Sequence, residues 1–217
     1  ISLFGVLGLW QSLRADKTHP ISQTNVKVSS TILILIGLGS VGLHGTMHWI
    51  FQSSDELPMI YVVLSSLYNL AEIDAPRGRA MHPWLAPVMI ATAVANTAFY
   101  YVFQQLYWVF ILTFATLAIV NTFWIAYLAF SVSHRNPHTM NMFWAGTVSF
   151  LLVGVGSWVL DMLLCHQGVL EASNAYFYGA TPHVLWHFAA GFGAYCTSLF
   201  PVCCRCEALG VPFSVDF

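Results

Sequence analysis

Five polar residues in a mostly apolar chain have the types and the spacing to do chemistry. In "GSVGLHGTMHW" (39–49), Ser40 and His44 stand four apart inside the run TILILIGLGSVGLHGTMHWIF. In "TPHVLWHFAAG" (181–191), His183 and His187 repeat that spacing, and Asp55 closes the short polar stretch "QSSD" (52–55). Residues four apart share one helix face. Two histidines so placed can hold a zinc ion from a single helix, and a third from another helix makes a three-ligand site with one position left for water. Such a site lowers the pKa of its water to near 7 and polarises a carbonyl.

Spacing alone leaves the third ligand open between His44 and His48, with His48 one turn nearer the helix end. His134 and His138 make the same spacing in "HRNPH", but Pro137 and a loop setting argue against a shared helix face. His19, His82 and His166 sit at loops or helix ends. Asp161, an acid within "SWVLDMLLC", has two readings: a hydrogen-bonding role near the site, or a position at the membrane interface. The bland alternative for any one of these histidines is a core imidazole satisfied by a neighbour.

The elements that must position these groups are membrane helices. Hydrophobic residues make up 58% of the 217 and charged residues only 7%, where soluble domains carry about 25% charge. That excludes a soluble domain and predicts a polytopic membrane protein. No basic patch exists, which excludes nucleic acid as a partner. The five cysteines (165, 196, 203, 204 and 206) form neither a zinc-ribbon spacing nor an even disulfide set. "CCRC" (203–206) follows the last apolar run and reads as free cytosolic thiols, with palmitoylation as the other reading.

A spanning helix needs about 20 apolar residues. Spans are expected near 31–51, 57–73, 84–103, 106–130, 142–165 and 182–204, and residues 1–12 read as the second half of a further helix truncated at its start. The expectation is an all-α, polytopic seven-transmembrane helix bundle forming a single domain over 1–217. Arg14, Lys17, Lys27, Arg77, Arg79, Arg135 and Arg205 all fall on one side of that arrangement, and the loops 52–56, 104–105 and 166–181 contain no Lys or Arg. The positive-inside rule makes the basic side cytosolic, the C-terminus with it. Ser40, His44, Asp55, His183 and His187 then gather at the lumenal end, where ionisable groups at membrane depth need a partner or a cavity.

Three blocks resemble the alkaline ceramidase family: "GSVGLHGTMHW…DELPMIY" (39–61), "SWVLDMLLC" (157–165) and "HVLWHFAAGFGAY" (183–195). The last departs from the family pattern, with Ala-Gly-Phe-Gly where Thr-Gly-Leu-Gly is usual. The resemblance implies an intramembrane zinc amidase of the endoplasmic reticulum or Golgi, cleaving ceramide to a sphingoid base and a fatty acid. It implies Zn2+ held by His44, His183 and His187, with Ser40 and Asp55 completing the catalytic set. It also implies Ca2+ bound through an acidic segment preceding residue 1, and a pairing of Cys165 with a cysteine of that segment. Chemistry supports the roles: Asp55 can take a proton from water, and Ser40 can donate to an oxyanion. Two alternatives stand beside this one. A receptor of the adiponectin type would share the zinc pattern, although "DELPMIY" and a cytosolic C-terminus argue against it. A proton or ion transporter would spread its ionisable groups along a path rather than cluster them at one end.

Overall fold

The structure, a computed structural model, describes residues 1–76, 79–166 and 181–214, with the side chains of Cys165 and His166 excepted. The expectations placed on Arg77, on the loop 167–180 and on the pairing of Cys165 lie outside these residues. Among the described residues every regular segment is helical. In chain order they are α1 (Ser2–Arg14), α2 (Thr24–Thr46), α3 (Trp49–Ala71), α4 (Leu85–Val102) and α5 (Tyr107–Phe130). They continue with α6, a rod built from Pro137–Thr147, a π-helical stretch Val148–Val155 and Gly156–His166, and end with α7 (Pro182–Ala208).

The apolar surface follows the composition. Four segments are long and apolar enough to cross a membrane: Thr24–Thr46, Leu85–Val102, Gln104–Phe130 and Pro137–Leu164, with mean hydropathies of 1.8, 1.4, 2.0 and 1.8. On α4 only Leu85 is buried, so Val88, Ile90 and Val94 face outward. Apolar exposure on this scale suits lipid rather than water. α3 is the opposite case, an inner helix that buries Ser53, Asp55, Glu56, Ser66 and Asn69 beside its apolar residues. Leu33 of α2, Ile125 of α5, Met142 of α6 and Phe200 of α7 meet in the core around it.

Neighbouring helices alternate in direction, which the end contacts show. At one end Asn25 of α2 donates to Asn69 of α3 (2.7 Å), and Arg135 pairs with Glu207 (2.9 Å) while binding the Leu128 carbonyl at the end of α5. The described basic residues lie at this end. Arg205 corrects the sequence reading of a loop charge. It is 8% exposed within α7, and its Nη1 donates to the carbonyls of Glu72 (2.6 Å) and Ile73 (3.0 Å) just past α3. Those carbonyls belong to a helix end that lacks intrahelical donors, so a buried guanidinium finds partners there. "CCRC" is corrected with it. The helix runs on to Ala208, and Cys203, Cys204 and Cys206 are buried inside the bundle rather than trailing after it.

The larger correction concerns the corner between α2 and α3. The apolar run predicts one helix through residue 51 and a break at 52–56; the chain instead turns at Met47–His48. Met47 adopts a left-handed conformation (φ 52°), and its N–H closes the helix onto Leu43 O. That position usually takes Gly or Asn, so nothing in the local composition marks it. His48 becomes the N-cap of α3, its Nδ1 accepting from Ile50 N–H at 3.3 Å. Asp55 therefore does not begin a helix. It lies nearly two turns inside one.

Candidate metal centre

The end of the bundle opposite the basic residues is built by α2, α3, α6 and α7. α2 and α3 approach closely at Gly39, where a Cβ would lie 2.3 Å from Ser54 O and 2.7 Å from Asp55 N. Pro58 contributes to that contact: lacking an N–H, it leaves the carbonyl of Ser54, four residues back, without its helical donor. The residue after Gly39 is Ser40, so the backbones bearing Ser40 and Asp55 are held side by side. α7 starts at Pro182, a residue suited to the first helical position, and its first two turns carry His183 and His187.

The three histidines converge. His187 Nε2 lies 3.0 Å from His44 Nε2 and 3.0 Å from His183 Nε2, and the ligand atoms of all three sit within 4.8 Å of one another. The opposite ring nitrogens are occupied: His183 Nδ1 is 3.3 Å from Asp161 Oδ2, and His187 Nδ1 is 3.4 Å from Ser40 Oγ. A neutral imidazole carries one N–H. If that hydrogen serves Asp161 or Ser40, the Nε2 lone pairs point inward at each other, an arrangement a cation stabilises. Zinc–nitrogen bonds of about 2.0–2.1 Å in a tetrahedron put nitrogens about 3.3–3.4 Å apart, near the 3.0 Å that separates His187 Nε2 from each of the other two. The donor set fits zinc.

Asp55 supplies a second observation. It is 7% exposed, and its Oδ1 has no hydrogen-bond partner among the described residues. A buried carboxylate oxygen left unpaired needs a proton, water or cation nearby. His48 stands apart from the cluster, exposed at the α2–α3 corner. Asp161 lies beside the cluster, its Oδ2 3.3 Å from His183 Nδ1, which favours a role near the site over a position at the membrane interface.

One polar group escaped the sequence reading except as a letter in a motif. Glu56 is buried and accepts from Tyr100 Oη (2.5 Å), Tyr107 Oη (2.7 Å) and Gln52 Nε2 (3.1 Å). It ties α3 to α4 and α5 at the same end of the bundle. Tyr101 adds a bond to Ser53 Oγ at 2.8 Å. The acid beside Asp55 was a visible signal; its tyrosine partners, 44 and 51 positions away, gave none.

Known proteins resemble the chain along almost its whole length. A family model described as ceramidase matches residues 1–213. A putative alkaline ceramidase of Dictyostelium discoideum is 27% identical, the match covering 96% of this chain and 78% of that protein. An alkaline ceramidase of Arabidopsis thaliana is 24% identical, covering 96% of this chain and 74% of the relative.

Proposed function

The chain belongs to the ceramidase family, and on that premise we propose that it is a zinc-dependent amidase releasing a fatty acid and a sphingoid base from ceramide within a membrane. The observation that carries the zinc reading is the convergence of three Nε2 atoms, two of whose rings are anchored at Nδ1 by Asp161 and Ser40. His44, His183 and His187 would hold the ion. A bound zinc ion supplies Lewis acidity toward the amide carbonyl and acidity to a water molecule.

The residues of the chain do the rest. Asp161 and Ser40 fix ring orientation and tautomer, the usual task of groups behind metal ligands. Ser40 Oγ, accepting from His187 Nδ1–H, keeps its own O–H free to donate to the carbonyl oxygen as negative charge builds there. Asp55 takes the proton of the attacking water and returns it to the departing nitrogen, without which an amide nitrogen leaves as an unfavourable anion. We place the basic end on the cytosolic face by the positive-inside rule, which sets the histidine cluster on the lumenal side of an endoplasmic reticulum or Golgi membrane, in a seven-helix transmembrane arrangement.

The test uses purified protein in detergent micelles with N-acylsphingosine as substrate and zinc content measured alongside. The expected result is one zinc per chain, fatty acid release, and an Asp55→Asn variant that keeps its zinc and loses most turnover. A chain that binds zinc and ceramide but releases no fatty acid would point instead to a receptor.

A further inference from the structure

A cavity of about 300 Å³ opens at the histidine end of the bundle, between α3, α4 and α5 rather than between α2 and α7. That volume is the lower bound of ligand pockets, room for a headgroup-sized molecule rather than a lipid tail. Trp49, Gln52, Glu56 and Ile60 follow one another at intervals of three and four, so they share one face of α3. Trp49, Gln52 and Ile60 line the cavity, and Glu56 stands in the middle of that face. The lining is buried at Ile60 and Phe110 and exposed at Trp49, Phe103 and Tyr107, which form the mouth.

Six of the lining side chains are aromatic: Trp49, Phe99, Tyr100, Phe103, Tyr107 and Phe110. The ring centres of Tyr100 and Tyr107 each lie 5.7 Å from that of Phe110, so rings of α4 and α5 make one continuous wall. Behind it lies the buried Glu56 carboxylate, accepting from the hydroxyls of Tyr100 and Tyr107 and from Gln52. Those bonds satisfy its oxygens and leave its charge without a counter-charge. α3, α4, α5 and the connection 103–106 contain no Lys or Arg, and among the described residues no ion pair includes Glu56. Asp55 beside it is a second acid. A buried carboxylate is costly unless it is paired as well as hydrogen-bonded, and aromatic faces attract cations. Both features call for a cation from outside the chain.

We propose that this cavity binds the quaternary ammonium of a choline-type lipid headgroup. The site depends on neither zinc nor hydrolysis. A calcium or magnesium ion needs about six oxygen ligands, whereas the wall is chiefly ring carbon and the Glu56 oxygens already accept three hydrogen bonds. A primary ammonium brings three N–H groups, each in need of an acceptor; a quaternary one brings methyl groups, which aromatic rings suit. Gln52 and Asn96 commit their side-chain nitrogens to Glu56 and to Thr92 O (2.9 Å), which leaves amide oxygens to add negative partial charge. The bilayer is the source of the headgroup. Exposed Trp and Tyr side chains mark headgroup level in a membrane protein, and Trp49 and Tyr107 stand at the mouth of the cavity.

The experiment is native mass spectrometry of the full chain in nonionic maltoside micelles with added lipid. Phosphatidylcholine should be retained about 10-fold over both phosphatidylethanolamine and phosphatidylglycerol. Millimolar choline should displace it, and dimethylbutanol, the uncharged carbon isostere of choline, should not. Glu56→Gln keeps the size and an acceptor oxygen but removes the charge, and should lower retention about 10-fold, the scale of one uncancelled charge in a partly buried site. Should that variant fail to fold, Trp49→Ala takes away an exposed ring and should lower retention about 5-fold with the melting midpoint unchanged. Equal retention of the three lipids, displacement by dimethylbutanol, or wild-type retention in the variants would overturn the proposal. Binding of free choline with no lipid retained would overturn the bilayer as its source. Fatty acid release tests the amidase reading separately and is untouched by any of these results.

Discussion

Removing the Asp161 carboxylate isolates what the contact behind His183 contributes. Asp161 Oδ2 sits 3.3 Å from His183 Nδ1, and its side chain is only 16% exposed, so little water competes for the interaction. An acceptor there holds the hydrogen on Nδ1 and aims the Nε2 lone pair at the centre. Without it, His183 divides between two tautomers and several ring orientations, and only one combination can ligate. Loss of such a partner typically costs 10–100-fold in metal affinity, which corresponds to about 1.4–2.8 kcal/mol at 1.4 kcal/mol per decade. Asp161→Ala should accordingly weaken zinc binding by about 10–100-fold. Asp161→Asn keeps an amide oxygen to accept the hydrogen and should fall between that variant and wild type. The assay is competition with a chelator of known zinc affinity, run on each protein in the same micelles. Were Asp161→Ala to hold zinc as tightly as wild type, the carboxylate would be an interfacial acid that happens to touch His183, and the account of the ring anchors would fail.

His44→Ala, His183→Ala and His187→Ala should each abolish zinc binding, while His48→Ala should keep the metal and lose only a helix cap, about 1 kcal/mol of stability; metal analysis with thermal melting decides both. Ser40→Ala should retain zinc and slow ceramide turnover by about 10²–10³, and a wild-type rate would mean that Ser40 only props up His187. Glu56→Ala leaves the hydroxyls of Tyr100 and Tyr107 without their acceptor and should cost about 3 kcal/mol, read as a lowered melting midpoint. An unchanged midpoint would show that water replaces the carboxylate freely. For orientation, Gln104→Cys and Ser133→Cys place thiols at exposed positions at opposite ends of the bundle; an impermeant reagent added from the lumenal side should label only the first.

What the sequence made legible depended on whether partners shared one uninterrupted helix. His183 and His187 do, and their spacing alone announced a common face. Helices beginning at Pro182 and ending near Phe130 could be read because hydrophobic runs and Pro mark them. His44 could be separated from His48 chiefly by the family resemblance, because the spacing treats both alike. What tells them apart is Met47, whose left-handed backbone ends α2 between them. The same unmarked corner is why Asp55 was read at a helix start. Arg205 misled for a different reason: positive charge near the end of an apolar run usually means an aqueous loop, and its two carbonyl partners at Glu72 and Ile73 are 133 and 132 positions away. Contacts at that range leave no trace in local pattern.

The division of the histidines between α2 and α7 bears on how the molecule comes into being. His44 and His187 are separated by 143 positions, so the centre can be completed only after α7 has joined α2. Emergence from the ribosome and insertion of the helices preceding α7 would leave a lone imidazole on α2 waiting for its companions. Zinc arriving afterwards would close a loop of that length, and cross-links that close long loops restrict the unfolded chain most. Capture of the metal would then act as a late step of biogenesis, a latch available only to chains in which α7 has been delivered. Molecules stalled before α7 would be catalytically silent and open to removal, and activity toward lipid could not begin on a half-built protein.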